Sequence, residues 1–271
     1  MKTALIIPAR YGSTRFPGKP LAMIAGKTML QRVFELAEHA TEDFDNVDIL
    51  VATEDERIFE HATHIGAKAV MTPDTCKTGT DRAAAAIDAA GLTPDVVLNL
   101  QGDAPLTPPH FISDIIMAFD DRPMPDVVTP AYQLSWQQLD DLRKSKRTTP
   151  FSGTTVTVKD DGFALWFSKN IIPAIRGEDQ LRTQKLLSPV LKHIGLYGYK
   201  YDVLKAFVTL EQSPYEKLEG LEQLRLLENG YTIKVVTIDP QGSPIHGGID
   251  SPEDIEAAEN ILKDIAEPYH E

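Results

Sequence analysis

The sequence predicts an α/β fold: a mostly parallel sheet covered by helices on both faces, carrying an inserted antiparallel, β-rich lobe. Three observations carry that expectation. Short apolar runs alternate with helix-length periodic segments as far as Leu100, β-rich runs around a hairpin signal fill the middle, and strand–helix alternation returns after Ser213. The chain has 271 residues, 42% hydrophobic and 25% charged, an ordinary globular composition. Residues 1–271 are expected to form one domain, with about 125–210 as the lobe.

The elements follow in order. Ala4–Ile7 reads as a buried strand, and Lys27–His39 as a helix with Met29, Leu30, Val33, Phe34, Leu36 and Ala37 on its apolar face. Val47–Val51 is a second strand, after which Thr53 is placed to cap a helix, with Glu56 completing a capping box. Ala67–Met71 is a strand, Thr80–Ala90 a helix and Val96–Leu100 a further strand. In the middle, Asp126–Tyr132 reads as a strand. Gln137–Lys146 reads as a polar helix whose basic run, Arg143-Lys144-Ser145-Lys146-Arg147, is expected to be a solvated end. Thr154–Lys159 and Phe163–Ser168 are joined by the turn Asp160-Asp161-Gly162, and Ile194–Lys200 is a further strand. Near the end, Ser213-Pro214-Tyr215-Glu216 opens a helix that Asn229-Gly230 closes, Tyr231–Ile238 is a strand, and Ser251-Pro252 starts a last helix.

Bulk properties exclude several classes. A formal net charge of −13 disfavours nucleic acid and membrane surfaces as partners. No apolar run approaches the roughly 18 residues of a membrane helix, and the first residues do not read as a secretory signal. Cys76 is the single cysteine, which leaves no intrachain disulfide and fits a reducing, cytoplasmic setting.

The sharpest local feature follows the first strand. Pro8-Ala9-Arg10-Tyr11-Gly12-Ser13-Thr14-Arg15-Phe16-Pro17-Gly18-Lys19-Pro20 holds Arg10, Arg15 and Lys19 and no acid. A glycine-bearing turn lined with cations suits a polyphosphate. It is not the G-x-x-x-x-G-K-[ST] loop, because Gly12 and Gly18 are one residue too far apart and Pro20 replaces the hydroxyl. Nucleotidyl transfer needs cations for a triphosphate, a divalent metal and a positioned nucleophile. Lys19 is expected near the α-phosphate, with Arg10 and Arg15 on the phosphates that leave. Asp103 and Asp250, each at a strand or loop end, are expected on one rim of the sheet as a carboxylate pair suited to Mg²⁺. Neither a His/Cys metal spacing nor a Ser–His–Asp arrangement is evident, which disfavours hydrolysis.

Pro8-Ala9-Arg10, Ser13-Thr14-Arg15 and Pro17-Gly18-Lys19-Pro20 resemble the signature of sugar-acid cytidylyltransferases, most closely the 3-deoxy-manno-octulosonate (Kdo) cytidylyltransferase family. The similarity returns in the family's order at Thr78-Gly79-Thr80-Asp81-Arg82, Asn99-Leu100-Gln101-Gly102-Asp103, Lys192–Tyr199, Leu221-Glu222-Gln223-Leu224-Arg225 and Gly248–Asp254. It implies a Rossmann-like sheet of the nucleotide-diphospho-sugar transferase type, CTP and a sugar acid as substrates, Mg²⁺ on Asp103 and Asp250, a homodimer, and a place in lipopolysaccharide biosynthesis. It also implies that the Ala9 backbone and the Thr80 region read cytosine, and that Gln101, beside the metal aspartate, serves the nucleotide and the sugar acid. His193, Tyr197, Glu222 and Gln223 would hydrogen-bond the polyhydroxylated acceptor, with Arg176 as a basic residue near it.

Some positions depart from the family's pattern. Pro150–Thr155 replaces an Asn-Pro-Asn-x-Val-Lys-like run, Lys169 stands where an arginine follows the serine, Ala104 replaces a glutamate, and the Gln241–Gly248 loop with His246 is longer. Two alternatives therefore accompany Kdo: the same reaction on another sugar acid (8-amino-Kdo or a nonulosonate), or a catalytically silent nucleotide-binding protein.

Overall fold

The computed structural model describes residues 1–12, 16–240 and 248–264. In chain order the elements are β1 (Thr3–Pro8), a 3-10 turn (Lys19–Leu21), β2 (Met23–Ile24), β3 (Lys27–Thr28), α1 (Met29–Thr41), β4 (Val47–Thr53), α2 (Glu56–His64), β5 (Lys68–Met71), α3 (Gly79–Ala90), β6 (Val96–Asn99) and α4 (Pro109–Ala118). They continue with β7 (Val127–Ser135), α5 (Trp136–Ser145), β8 (Thr155–Val158), β9 (Ala164–Ser168), α6 (Glu178–Gln184), β10 (Leu187–His193), β11 (Tyr197–Lys200), α7 (Tyr201–Phe207), α8 (Pro214–Glu219), α9 (Glu222–Glu228), β12 (Ile233–Thr237) and α10 (Pro252–Asp264). The chain divides into two compact units. The first holds Met1–Ile116, Gly198–Val208 and the segment from Pro240; the second holds Met117–Tyr197 and Thr209–Asp239. The second unit thus starts before the expected lobe and takes in a later segment as well.

The first unit is built on the parallel order β5–β4–β1–β6. Leu5, Ile6 and Ile7 are all fully buried, as continuous apolar runs are in a sheet covered on both faces. Pro8 lies opposite Ala52, and Ile6 opposite Asn99. Because the strands run in one direction, the residues after Pro8, Thr53 and Asn99 all emerge on one rim, where α/β sheets place ligands. Cap chemistry moves two helix starts from their expected positions. α1 begins at Met29 because the Thr28 hydroxyl accepts from the Gln31 amide (3.1 Å), while Lys27–Thr28 pairs with Met23–Ile24. α2 begins at Glu56 because Asp55, not Thr53, caps it through the Arg57 amide (3.0 Å); Thr53 instead accepts from the Asp55 amide (3.2 Å). For α3 the capping box is Thr78 with Asp81, which puts Thr80 inside the first turn.

In the second unit β12 runs parallel to β7, and β7–β10, β10–β8 and β8–β9 are antiparallel, as expected of the lobe. Gly162, at φ 81°, makes the β8–β9 turn. The strand expected over Ile194–Lys200 starts three residues late, and the strand β10 before it was not expected. β10 ends at His193 and β11 starts at Tyr197, because the Ile194 amide bonds to the Pro130 carbonyl and the Thr129 hydroxyl donates to the Leu196 carbonyl (2.8 Å). The helix expected from Ser213 to Asn229 is two, broken at Gly220 (φ 64°), whose amide bonds to the Glu216 carbonyl.

The basic run at the end of α5 is a solvated end only in part: Lys144, Ser145 and Arg147 are exposed, whereas Arg143 and Lys146 are engaged. Arg143 binds Glu178 through two 2.7 Å hydrogen bonds, and the Lys146 ammonium donates to the carbonyls of Pro150, Ser152, Gly153 and Lys169. Burial, with Lys169 and Lys192 nearby, pushes the Lys146 pKa down.

Candidate active site

The basic loop is pinned at both ends. The Ala9 amide bonds to the Ala52 carbonyl (2.8 Å), continuing the β1–β4 ladder one residue past the strand. At the far end Gly18 adopts φ 72° and its amide bonds to the Tyr11 carbonyl (3.0 Å). A Cβ on Gly18 would come 3.1 Å from the Tyr11 ring, so glycine is required there by conformation and by space. Pro20 is buried in the 3-10 turn that follows, and this turn holds the Lys19 backbone.

From that turn the Lys19 ammonium reaches Asp103 Oδ2 at 2.6 Å and Asp250 Oδ1 at 3.4 Å. Two backbone features bring the distant aspartates together. The Ile249 amide bonds to the Asp103 carbonyl (2.8 Å), and at Gly248 a Cβ would lie 3.1 Å from Asp103 Oδ1, so the chain passes directly over the carboxylate. Asp254 then fixes the entry to α10, accepting from the Asp250 amide (2.9 Å), the Ser251 amide (2.8 Å) and the Ser251 hydroxyl (3.0 Å). The other oxygen of Asp103, Oδ1, is buried with no hydrogen-bond partner. Such an oxygen is costly to leave bare, and a hard cation is the partner it suits. Among the described residues no group of three or more His, Cys, Asp or Glu gathers as a metal site. Two carboxylates are a donor set that suits Mg²⁺, an ion that keeps waters and phosphate oxygens in its shell.

The remaining rim residues are placed as follows. Arg10 is exposed, directly after Ala9, and Gln101 is exposed two residues before Asp103. Thr80 is buried in the first turn of α3. Arg15 and the 241–247 loop with His246 lie outside the described residues. Sequence reasoning passed over Asn99, the last residue of β6, which is buried with its side-chain oxygen unpartnered. Its signal was present: it is a lone amide closing an apolar strand.

In the second unit His193 and Tyr197 come together, their rings 5.4 Å apart, with Phe167 edge-on to His193 at 5.1 Å. His193 Nε2 lies 2.9 Å from the Thr129 hydroxyl, whose own proton goes to the Leu196 carbonyl. That assignment makes Nε2 the donor and leaves Nδ1 as an acceptor. Burial, with the Lys169 charge second, holds the His193 pKa down to about 3, so the ring is neutral near pH 7. Lys169, which departs from the family's arginine, donates to the Thr154 hydroxyl (3.2 Å), and its own pKa is lowered by burial. Glu222 and Gln223 open α9, and Gln223 is buried with Nε2 unpartnered. The buried Glu216–Arg225 pair (2.7 Å to Nε) ties α8 to α9 beneath them. Arg176 is exposed, immediately before Gly177 and α6.

Comparison with known proteins identifies the family. The pattern of the family described as cytidylyltransferase matches residues 4–235. The 3-deoxy-manno-octulosonate cytidylyltransferase of Maricaulis maris is 44% identical over 97% of both chains. That of Bacteroides thetaiotaomicron is 41% identical over 97% of this chain and 99% of its own. A solved CMP:2-keto-3-deoxy-manno-octonic acid synthetase complexed with CTP superposes with a TM-score of 0.82 at 32% identity, covering 97% of this chain and 99% of that one. A Leptospira borgpetersenii cytidylyltransferase shares the fold at a TM-score of 0.62 and 15% identity. With similarity running the length of the chain and a CTP-complexed structure of the same architecture, the chain belongs to the 3-deoxy-manno-octulosonate cytidylyltransferase family.

Proposed function

We propose that the protein transfers the cytidylyl group of CTP to the anomeric hydroxyl of a 2-keto-3-deoxy sugar acid, Kdo, giving CMP-Kdo and pyrophosphate. The observation that carries the reading is Lys19, held between Asp103 and Asp250 on the sheet rim at the end of an acid-free basic loop. The hydroxyl oxygen attacks the α-phosphorus in line, and the bond to pyrophosphate breaks. Lys19 offsets charge developing on the α-phosphate, and Arg10 and Arg15 hold the phosphates that leave. Ala9 and Thr80 select the base, and Gln101 serves the nucleotide and the sugar acid. When bound by Asp103 and Asp250, Mg²⁺ supplies further charge neutralisation and orients phosphate oxygens.

His193, Tyr197, Glu222, Gln223 and Arg176 hold the sugar acid. A neutral His193 whose Nδ1 is an acceptor, and a buried Gln223 amide with Nε2 unpartnered, are what a polyol requires. The proposal extends to a homodimer, since Phe151, Leu165, Leu186, Leu187, Tyr215 and Leu218 are all exposed on the second unit. It extends also to a cytoplasmic role supplying an activated sugar acid for lipopolysaccharide. Among the described residues no helix is long and apolar enough to cross a membrane.

The test is pyrophosphate release with CTP, Mg²⁺ and a panel of sugar acids. Release with Kdo is expected; release only with another acid overturns Kdo, and none with any acid overturns the activity. Asp103→Asn is expected to abolish turnover while the circular dichroism spectrum is retained, and full activity would remove Asp103 from the site. Lys19→Ala is expected to cost at least ~10²-fold in kcat.

A further inference from the structure

The end of β4 carries a set of residues that neither the loop motif nor the carboxylate pair explains. Glu54 follows β4, and its Oε1 accepts from the Tyr11 amide at 3.2 Å. Its Oε2 is 2.9 Å from the Arg82 guanidinium. Arg82, on α3, is 3% exposed and also donates to the Thr72 hydroxyl at 2.6 Å. Arg57, in the first turn of α2, lays its guanidinium 3.4 Å from the centre of the Tyr11 ring. It is itself held by Asp55 through bonds of 2.9 and 2.6 Å. On another side the ring borders the Gly18 position, and the Tyr11 carbonyl takes the Gly18 amide.

Tyr11 is therefore the point at which the strand ends grip the loop. Its amide, carbonyl and ring each have a separate partner; Tyr11 itself follows Arg10, and its partner Gly18 precedes Lys19. We infer that Tyr11, clamped by Glu54 and Arg57, is a positioning residue that sets where the basic loop begins and ends, and hence where Arg10 and Lys19 meet the triphosphate. The charges are consistent with this role. Glu54 next to a triphosphate site would repel the ligand, and the buried Arg82 cancels it while leaving Oε1 to hold the loop. The stacked Arg57 adds a cation to the same side, over an aromatic face.

The inference rests on the CTP reading above, so its test needs one arm without substrate. In the full-length protein, Tyr11→Ala is expected to speed amide exchange in the loop while leaving β4 protected. It should weaken CTP binding, by calorimetry with Mg²⁺, by about 10–100-fold, the effect of misplacing a charge by about an ångström. KM for the sugar acid should stay within about twofold, and Tyr11→Phe, which keeps the stack and the backbone bonds, should restore CTP binding. Glu54→Gln keeps an oxygen for the Tyr11 amide but leaves Arg82 without its counter-charge. It should lower the melting temperature and change CTP binding less than Tyr11→Ala does. Unchanged loop exchange in Tyr11→Ala, or a loss of CTP affinity matched by an equal rise in the sugar-acid KM that tracks lost stability, would overturn the inference. A wild-type protein that ignores CTP yet shows the exchange change would sink the functional reading and leave the clamp standing.

Discussion

Gly102 offers a perturbation whose size can be worked from the structure. It sits between Gln101 and Asp103, and a Cβ there would stand 2.6 Å from the Pro8 carbonyl oxygen and 3.5 Å from its carbon. Ordinary contact begins at 3.4 Å, so Gly102→Ala must open the gap between two strand ends by about 0.8 Å. The obstacle is main chain in a buried sheet and cannot rotate aside. The neighbouring Asp103 is tied to Lys19 at 2.6 Å and to the Ile249 amide at 2.8 Å, and a shift of that size strains both bonds. Displacement near an ångström at a reacting centre costs on the order of 10²-fold, so kcat is expected to fall about 10–100-fold. Overpacking adds about 1–3 kcal/mol of destabilisation, a drop of several degrees in Tm. Coupled pyrophosphate release at saturating CTP and Kdo, with a thermal melt alongside, reads both. A Gly102→Ala protein within twofold of wild-type kcat would refute the reasoning that the Pro8–Gly102 approach sets the Asp103 geometry.

Two further expectations concern pH and salt. His193, held to a pKa of about 3, stays neutral in the native protein where an unfolded histidine, near 6.5, takes a proton. Its contribution to stability is thus complete above about pH 6.5 and is lost as pH falls from there toward 3, and kcat/KM for the sugar acid should show no inflection from it near 6.5. An inflection there that vanishes in His193→Gln would contradict the neutral assignment. Glu178 is held down to about 2, chiefly by hydrogen bonds from Arg143 and then Arg182, so its contribution is full above about pH 4.5 and lost as pH falls toward 2. Because α6 has no buried residue and leans on these charges and on the Arg182–Trp136 stack, 1 M salt or Arg143→Gln should speed amide exchange across Glu178–Gln184. Unchanged exchange would show that something else holds the helix.

What could be read in advance divides along physical lines. β1, β4 and β6 were legible because a doubly covered parallel strand is apolar through its middle, and Ala4–Ile7, Ile49–Ala52 and Val96–Leu98 are. The α2 start was misplaced by two residues because Thr53 and Asp55 are both good caps, and only the amide geometry chooses between them. The break after His193 was hidden, because the alternation of Ile194, Leu196 and the tyrosines suits a strand. What breaks it is the Thr129 hydroxyl, far back in the chain. Arg143 and Lys146 looked solvated because their partners, Glu178 and the carbonyls around Ser152 and Lys169, are brought near by the fold alone. At the site Lys19, Asp103 and Asp250 stand in recognisable motifs. Glu54 and Arg82 belong to no motif, and their pairing is visible only when the ends of β4 and β5 and the start of α3 are seen together.

The Lys19 contacts also bear on how an acidic protein takes up a triphosphate. With both carboxylates on its ammonium, Lys19 is already neutralised, and phosphate oxygens must compete with Asp103 and Asp250 for it. A divalent cation held by the two aspartates would end that competition and leave the lysine to the nucleotide. Metal-free CTP is therefore expected to bind at least about tenfold more weakly than CTP with Mg²⁺, measured by calorimetry with chelator present. Asp103→Asn removes one competing charge and one metal ligand together. It should bind metal-free CTP more tightly than wild type while gaining little from added Mg²⁺. These shifts have opposite signs in one protein, and general loosening of the site would weaken both. If wild type and Asp103→Asn bind metal-free CTP alike, Lys19 is not restrained by the aspartates in solution, and the pairing has no part in nucleotide uptake.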